Sequence, residues 1–277
     1  MRLVLFDDYQ VGLLRGDQVV DVSHLFGDRH APFPRTFLIR AIAEFDVLRP
    51  KIEAAAAGSP GRPLAACRLL PPVLHPTKIL AAPVNYKKHQ AEMSAANTIH
   101  ELGFFLKAPS SILGPGGTIR LPFPDRRTDH EVELAVVIGK EATRVKAADA
   151  LDYVFAYTIL VDVTVRGGED RSTRKSFDTF TPIGPALVTR DEIPDPQDLR
   201  MRLWLNGELK QDASTVDMIE GVAGLIQRAS SIMTLLPGDI LSTGTPEGVS
   251  PLKPGDTVAV EIERLGRMEL NVAAGWT

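Results

Sequence analysis

The spacing of apolar segments after residue 78 constrains this chain more than any other feature. Short runs rich in β-branched and aromatic residues, such as 134–138 and 154–165, each have the length of a buried strand. Turns separate them: Asn206-Gly207 is typical of a hairpin, and Pro-Gly-Asp occurs at 237–239 and at 254–256. Short strands punctuated in this way favour a folded-over sheet or barrel over a doubly wound α/β domain. The sequence therefore predicts an α+β protein that is mainly β.

The first 70 residues have a different character and predict a small separate unit. Two short strand patterns are followed by helical stretches near 37–45 and 51–57. A proline-rich segment at 70–76 then resists both helix and sheet. We therefore predict a small N-terminal domain at 1–70 and a larger domain at 76–277 that carries the candidate catalytic residues.

Composition restricts the cellular setting and the class of partner. The chain has 35 acidic and 31 basic residues, a net charge of −4, and no basic cluster, which argues against a DNA or RNA partner. No apolar run reaches the length of about 18 residues that a membrane-spanning helix needs. The single cysteine, Cys67, cannot form an internal disulfide, which suits a reducing compartment. These observations predict a cytoplasmic globular protein without a nucleic-acid or membrane partner.

Three carboxylates are candidate metal ligands. Glu131 and Glu133 are two positions apart in a predicted strand, so their side chains point to the same face. Asp162 lies inside a long apolar run, where a carboxylate is expected to be buried and to need a partner. The structural alternatives are solvated acids on a strand edge and a salt bridge from Asp162 to Arg166 or Lys175. Three carboxylate oxygens favour Mg²⁺, Mn²⁺ or Ca²⁺ over zinc, and such a site is our interpretation.

Three further stretches can supply acid–base or anion-binding groups. His89 and Glu92 are neighbours on a helical turn, where the carboxylate can orient the imidazole as a general base. Lys175 would balance the charge of the carboxylates and stabilise an oxyanion. Thr245 belongs to a glycine-bracketed loop that can present its hydroxyl to a substrate carboxylate. Taken singly, these stretches also fit a surface His–Glu pair, an exposed lysine and an ordinary turn.

Taken together and in this order, seven stretches resemble the fumarylacetoacetate hydrolase superfamily, in particular its acylpyruvases and 2-hydroxyhepta-2,4-diene-1,7-dioate isomerases. They are NYKKHQAE at 85–92, FLKAPSSILGPGGTI at 105–119, HEVELAVVIGK at 130–140, ALDYVFAYTILVDVT at 150–164, KSFDTFTPIGP at 175–185, LNGELKQDASTVDMI at 205–219 and PGDILSTGTPEGV at 237–249. The resemblance implies a rolled, mixed β-structure preceded by a small variable N-terminal domain, and a homodimer. It also implies a Mg²⁺-type ion, with Mn²⁺ or Ca²⁺ as alternatives, and a small 2-oxo acid substrate.

Carried over residue by residue, the resemblance also implies roles for individual side chains. These are Glu131, Glu133 and Asp162 as metal ligands, Thr179 in the shell of the ion, His89, Glu92 and Lys175 as catalytic residues, and Tyr86, Arg166 and Thr245 at the substrate. One segment departs from the family pattern, because relatives commonly read Ser-Ala-Arg-Asp after the metal-binding aspartate and then supply a glutamine. Here Arg166 is kept, Gly167 replaces that aspartate, and no glutamine precedes Lys175. The substrate of a relative therefore does not carry over by itself.

We expect a metal-dependent hydrolase that cleaves a carbon–carbon bond in a small acylpyruvate-like or β-diketo acid. His89, oriented by Glu92, would deprotonate a water that attacks the distal carbonyl, and Lys175 and Thr245 would stabilise the oxyanion. The same site without that water suits a decarboxylase or an isomerase of an unsaturated 2-oxo dicarboxylate. A catalytically retired metal-binding scaffold is an alternative of another class, and the retained cluster of costly charges argues against it.

Overall fold

Strands dominate the computed structural model, which describes residues 1–28 and 37–275. The strands, in chain order, are β1 (Arg2–Phe6), β2 (Gln10–Arg15), β3 (Gln18–Asp21), β4 (Arg62–Pro63), β5 (Leu69–Leu70), β6 (Ile79–Ala81), β7 (Phe105–Lys107), β8 (Ile112–Leu113), β9 (Thr118–Leu121), β10 (Thr128–Asp129), β11 (Val132–Ile138), β12 (Val154–Val161), β13 (Thr164–Val165), β14 (Thr181–Thr189), β15 (Arg200–Leu205), β16 (Glu208–Ser214), β17 (Ile240–Ser242), β18 (Thr257–Ile262) and β19 (Gly266–Ala274). The α-helices are α1 (Phe37–Ala43), α2 (Phe45–Ala57), α3 (Lys87–Glu92), α4 (Ile99–Leu102), α5 (Arg171–Arg174) and α6 (Val222–Ile232). In these described residues no helix combines the length and the apolar character needed to span a bilayer.

The strands of the described residues are arranged in sheets of twelve, five and two strands. The largest runs β4-β3-β2-β1-β14-β12-β11-β17-β6-β7, with β5 beside β1 and β8 beside β14. The second runs β16-β15-β18-β19-β9, and the third pairs β10 with β13. Most neighbours are antiparallel, whereas β17 and β6, β14 and β8, and β19 and β9 are parallel pairs. The prediction of a mixed, mainly β protein is confirmed.

The central strands β11 and β12 are covered on both faces. Every residue in the two strands is buried, which is why their sequences read as nearly continuous apolar runs. Along β11, Leu134 and Val136 enter one core cluster together with α6 and the five-stranded sheet. The alternate residues Ala135 and Val137 enter a second cluster that contains the N-terminal helices. β11, which carries Glu133 and directly follows Glu131, is therefore held between two layers of packed side chains.

The N-terminal strands extend the large sheet. β1 pairs antiparallel with β14, with Arg2 opposite Val188. Between β1 and β3 lies β2, which the sequence pattern did not predict because Gly12 interrupts its apolar run. Glycine is required there, since a Cβ would lie 2.3 Å from Cγ1 of Val19. The predicted boundary at 70–76 is thus not a break in the sheet, and the division into two domains stays a prediction.

Apolar residues recur at helical spacing from 218 to 235, but the helix in this segment begins later than that periodicity indicates. It is α6, and Asn85 holds two of the four residues before it outside the helix. The carbonyl of Asn85 accepts the N–H of Ile219 at 2.7 Å, and its Oδ1 accepts the N–H of Glu220 at 2.8 Å. Because these N–H groups bond to a distant residue, the local helical pattern does not set the helix start.

Candidate active site

Strand pairing brings the three predicted carboxylates together. β11 and β12 are antiparallel with Val132 opposite Val161, so the residue before β11 meets the residue after β12. There the N–H of Asp162 donates to the carbonyl of Glu131 at 2.8 Å. One carboxylate oxygen from each of Glu131, Glu133 and Asp162 lies within 4.8 Å of the others, and all three residues are buried. An oxygen-only set of this kind fits a hard divalent cation.

Cationic side chains neutralise two of the three carboxylates. Lys175 Nζ lies 2.7 Å from Glu131 Oε2, 2.6 Å from Asp162 Oδ2 and 2.6 Å from Thr164 Oγ1. These three contacts use all three N–H donors of the lysine ammonium group. A guanidinium nitrogen of Arg166 lies 2.8 Å from Glu131 Oε1. Burial alone would raise the pKa of Glu131, but Lys175 and Arg166 outweigh it and hold that pKa below its usual range. Arg166, which was predicted to contact the substrate, thus holds the carboxylate of Glu131 in position.

A second lysine, Lys107, contacts the site and was not singled out by the sequence. Its Nζ lies 2.5 Å from Asp162 Oδ1 and donates to the carbonyls of Lys175 and Phe180 at 2.6 and 3.1 Å. The side chain is fully buried, so it fixes both Asp162 and the backbone that carries Lys175. The sequence did contain a signal for this residue, since Lys107 ends the short apolar stretch FFLK and a lysine there is expected to be buried. A buried lysine needs an anionic partner, which would have pointed to the carboxylates.

Glu133 forms no ion pair with the residues that the structure describes. Its Oε2 accepts from Ser242 Oγ at 2.5 Å and from the N–H of Gly244 at 2.9 Å. Burial, followed by the negative charge of Asp162, raises the pKa of Glu133 to about 8. A divalent cation between the carboxylates would relieve this repulsion, so the electrostatics of the site fit a metal ion as its donor atoms do.

The predicted His–Glu pair forms beside these carboxylates. His89, on α3, is buried, and its Nδ1 lies 2.9 Å from Glu92 Oε2. Glu92 Oε1 accepts the N–H of Gly248 at 2.9 Å, so the carboxylate is held at both oxygens. Because Nδ1 faces Glu92, Nε2 is the ring nitrogen that is left to accept a proton.

A cavity of about 210 Å³ joins these groups. The three carboxylates, His89, Lys175 and Thr245 all line it, together with the three arginines Arg166, Arg171 and Arg174. The sequence did not single out Arg171 and Arg174, although they lie in the segment that departs from the family pattern and just after it. The cavity therefore brings acids, a candidate base and an excess of cationic side chains to one place.

Thr245 lines the cavity, and a buried glutamine orients its hydroxyl. Gln211 Oε1 accepts the N–H of Val132 at 3.1 Å, while its Nε2 donates to Thr245 Oγ1 at 2.9 Å and to the carbonyl of Pro246 at 3.0 Å. Two backbone groups thus determine the orientation of the amide. Because Thr245 Oγ1 already accepts an N–H, its own hydrogen is left to donate to a ligand.

Two predicted site residues, Tyr86 and Thr179, are not among the residues that line the cavity. Tyr86 is packed in the apolar core, with its hydroxyl directed at a methionine sulfur 3.8 Å away, so its side chain does not line the cavity. The Oγ1 of Thr179 accepts the N–H of Arg120 at 2.9 Å. Thr164 Oγ1, in contrast, bonds directly to the charged cluster, because it accepts from Lys175 Nζ at 2.6 Å and donates to the carbonyl of Asp162 at 3.0 Å.

The chain is similar to known proteins along its whole length. It is 44% identical to maleylpyruvate hydrolase of Aquipseudomonas alcaligenes, over 98% of this chain and 99% of that one. A crystal structure of maleylpyruvate hydrolase from Sphingobium sp. SYK-6, in complex with manganese(II) and pyruvate, matches with a TM-score of 0.92 and 43% identity over all of both chains.

An isomerase shares the fold at a greater distance. The crystal structure of 2-hydroxyhepta-2,4-diene-1,7-dioate isomerase from Mycobacterium marinum matches over all of both chains with a TM-score of 0.77 and 32% identity. The family model described as fumarylacetoacetate (FAA) hydrolase C-terminal matches residues 78–273. With this match over most of its length and these relatives over all of it, the chain belongs to the fumarylacetoacetate hydrolase family.

Proposed function

We propose that this protein is a metal-dependent hydrolase of acylpyruvates and that its substrate is maleylpyruvate. The observation that carries the proposal is the buried carboxylate triad beside the His89–Glu92 pair, in a chain 44% identical over nearly its whole length to a maleylpyruvate hydrolase. Hydrolysis would add water across the bond between the distal carbonyl carbon and the CH₂ of the pyruvyl group, which yields maleate and pyruvate.

Glu131, Glu133 and Asp162 are the proposed metal ligands. Their shared cavity, their oxygen-only donor set and the repulsion that acts on Glu133 support this assignment. A bound divalent ion would act as a Lewis acid toward the oxygens of a 2-oxo acid. We propose Mg²⁺ or Mn²⁺ as the native ion, with Ca²⁺ as an alternative, and manganese is the ion in the Sphingobium structure.

His89 is the proposed general base. Its Nε2 would take a proton from the water that attacks the distal carbonyl carbon, while Glu92 stabilises the imidazolium through Nδ1. Thr245 would donate its hydroxyl hydrogen to the oxyanion, and Lys175 would contribute its positive charge. When the carbon–carbon bond breaks, its electron pair stays on the pyruvyl CH₂ carbon. That carbon then takes up the proton held by His89, which restores the neutral imidazole.

A decarboxylase or isomerase of an unsaturated 2-oxo dicarboxylate is the second candidate, and the shared fold of the Mycobacterium marinum isomerase favours it. A retired metal-binding scaffold has less support. Metal binding alone does not require the bond between His89 and Glu92 or the oriented hydroxyl of Thr245. Assays of purified protein on maleylpyruvate, acetylpyruvate and oxaloacetate would separate these candidates.

Removal of divalent ions by a chelator is expected to abolish maleylpyruvate hydrolysis, and Mg²⁺ or Mn²⁺ should restore it. Pyruvate release in a coupled assay would measure both steps. The melting temperature should also rise when the ion is added, because a ligand at 100 times its Kd stabilises the folded state by about 2.7 kcal/mol. Full activity in excess chelator would contradict the proposed function.

Manganese affinity is expected to rise with pH. Glu133 has its pKa raised to about 8 in the ion-free protein, so below that pH the ion must displace a proton. The dissociation constant should tighten by up to about tenfold per pH unit from about pH 6 to 8 and then level off. The same shift makes the ion-free protein lose stability as pH rises from the unfolded-state pKa of 4.5 toward 8.

Calorimetric titration with Mn²⁺ at several pH values would measure this slope. A His89→Ala protein serves as the control, because it should show the same slope if the displaced proton belongs to Glu133. A dissociation constant that is the same at both ends of the pH range would contradict the prediction.

We also propose a homodimer in the cytoplasm, as the family resemblance and the single cysteine led us to expect. Light scattering measured as the protein elutes from a size-exclusion column should give twice the mass of the chain.

A further inference from the structure

Two cationic side chains on α5 line the cavity and are not used by the proposed mechanism. Arg171 and Arg174 form no ion pair with the residues that the structure describes, whereas Arg166 bonds to Glu131 at 2.8 Å and to Asp129 at 2.7 Å. The Nε of Arg174 is buried and has no hydrogen-bond acceptor in the described part of the chain. A buried N–H group without an acceptor is costly, so a ligand that supplies the acceptor is expected.

The local structure aims both arginines at the same place. They are separated by three positions on one helical turn, so they share a face of α5. Asp170 fixes the start of this turn by accepting the N–H of Ser172 at 2.8 Å. The Oγ of Ser172 accepts the N–H of Leu106 at 3.4 Å, so the turn is also attached to β7. The two guanidinium groups therefore have a supported backbone.

The charge around these arginines favours an anion. Burial lowers the pKa of Arg174, and the positive charges of Arg166 and Arg171 lower it further. Glu131 and Asp162 act electrostatically on Arg174, but Lys175, Lys107 and Arg166 already pair with them, and Glu169 pairs with Arg126. A carboxylate brought in by the substrate would relieve the repulsion between the arginines and supply the missing acceptor.

We propose that Arg171 and Arg174 bind the second carboxylate of a diacid substrate, the one remote from the 2-oxo acid group. This inference rests on the proposed function and adds the residues that select its substrate. Guanidinium groups suit the task because they bind a carboxylate through paired, charge-assisted hydrogen bonds. The carboxylate triad would serve the 2-oxo acid end of the molecule, and α5 would serve the other end. The site then selects an acylpyruvate that ends in a carboxylate over one that ends in a methyl group.

Steady-state kinetics on two substrates would test this selection. Maleylpyruvate has the remote carboxylate and acetylpyruvate lacks it. In ion-saturated enzyme, Arg171→Gln and Arg174→Gln should each lower kcat/KM for maleylpyruvate by about 10- to 100-fold, mainly through KM. For acetylpyruvate kcat/KM should change by less than about threefold. Arg174→Lys should recover part of the loss because it keeps the charge.

Arg126→Gln is the matched control. It removes the same charge close to this region, but Arg126 pairs with Glu169 at 2.8 Å and does not line the cavity. It should leave the ratio of the two kcat/KM values unchanged.

Binding of the product provides a readout that does not depend on turnover. Maleate carries the remote carboxylate and pyruvate does not, so Arg174→Gln should weaken maleate binding to Mn²⁺-loaded protein by about 10-fold or more and leave pyruvate binding unchanged. The affinity for Mn²⁺ itself should stay at the wild-type value in both cavity variants.

Two results would overturn the assignment. Equal losses on both substrates would place the arginines at the shared 2-oxo acid group or in folding, and no loss on either substrate would remove them from recognition. A wild-type enzyme that hydrolyses neither substrate would refute the proposed function instead, and maleate binding would still decide whether the arginines bind the carboxylate.

Discussion

Replacing Glu133 with glutamine is expected to abolish metal-dependent turnover without destabilising the ion-free protein. The amide oxygen can still accept from Ser242 and Gly244, and the amide replaces a carboxyl group that already holds a proton below about pH 8 in the ion-free protein. Loss of a proposed ligand should weaken Mn²⁺ binding by more than about 100-fold. Turnover should fall on the order of 10³-fold or more, because the ion supplies several kcal/mol of transition-state stabilisation.

Asp162→Asn is the matched comparison, because it makes the same chemical change at another proposed ligand. In this variant the free energy of unfolding of the ion-free protein should fall by about 3–5 kcal/mol, because Lys107 and Lys175 are left with one acid fewer in a buried site. Urea unfolding in the presence of chelator would measure the contrast between the two variants. Wild-type Mn²⁺ affinity in Glu133→Gln would exclude Glu133 from the ligand set.

His89→Ala is expected to lower turnover of maleylpyruvate by about 10²- to 10⁴-fold, the usual contribution of a positioned general base. Glu92→Gln should lower turnover by a smaller factor, because it weakens the orientation and basicity of the imidazole but leaves the ring in place. Stopped-flow measurement of the chemical step would give both values.

The affinity for the metal ion is the control measurement for the His89 variant. Mn²⁺ affinity should stay near the wild-type value, because neither His89 nor Glu92 belongs to the proposed ligand set. Oxaloacetate provides the comparison substrate, since its decarboxylation needs no water attack and should depend on Glu131 far more than on His89. A His89→Ala protein that cleaves maleylpyruvate at the wild-type rate would leave the hydrolytic mechanism without its base.

Interactions between residues close in the chain were predictable from the sequence. The Asn206-Gly207 dipeptide joins β15 to β16 with φ values of 53° and 81°, a conformation that asparagine and glycine tolerate best. The pairing of His89 with Glu92 needs only one helical turn, and the shared face of Glu131 and Glu133 needs only the two-residue period of an extended chain.

Interactions between distant residues were decided by packing. Lys107 reaches Asp162 across 55 positions, and Gln211 reaches Thr245 across 34. Tyr86 belongs to a stretch that resembles the family, yet its side chain is in the apolar core. Such partners are fixed by strand pairing and by which face of each element packs inward. Neither of these can be read from the residues that neighbour Lys107 or Gln211 in the chain. A local pattern therefore predicts which side chains share a face, while the tertiary fold determines what that face contacts.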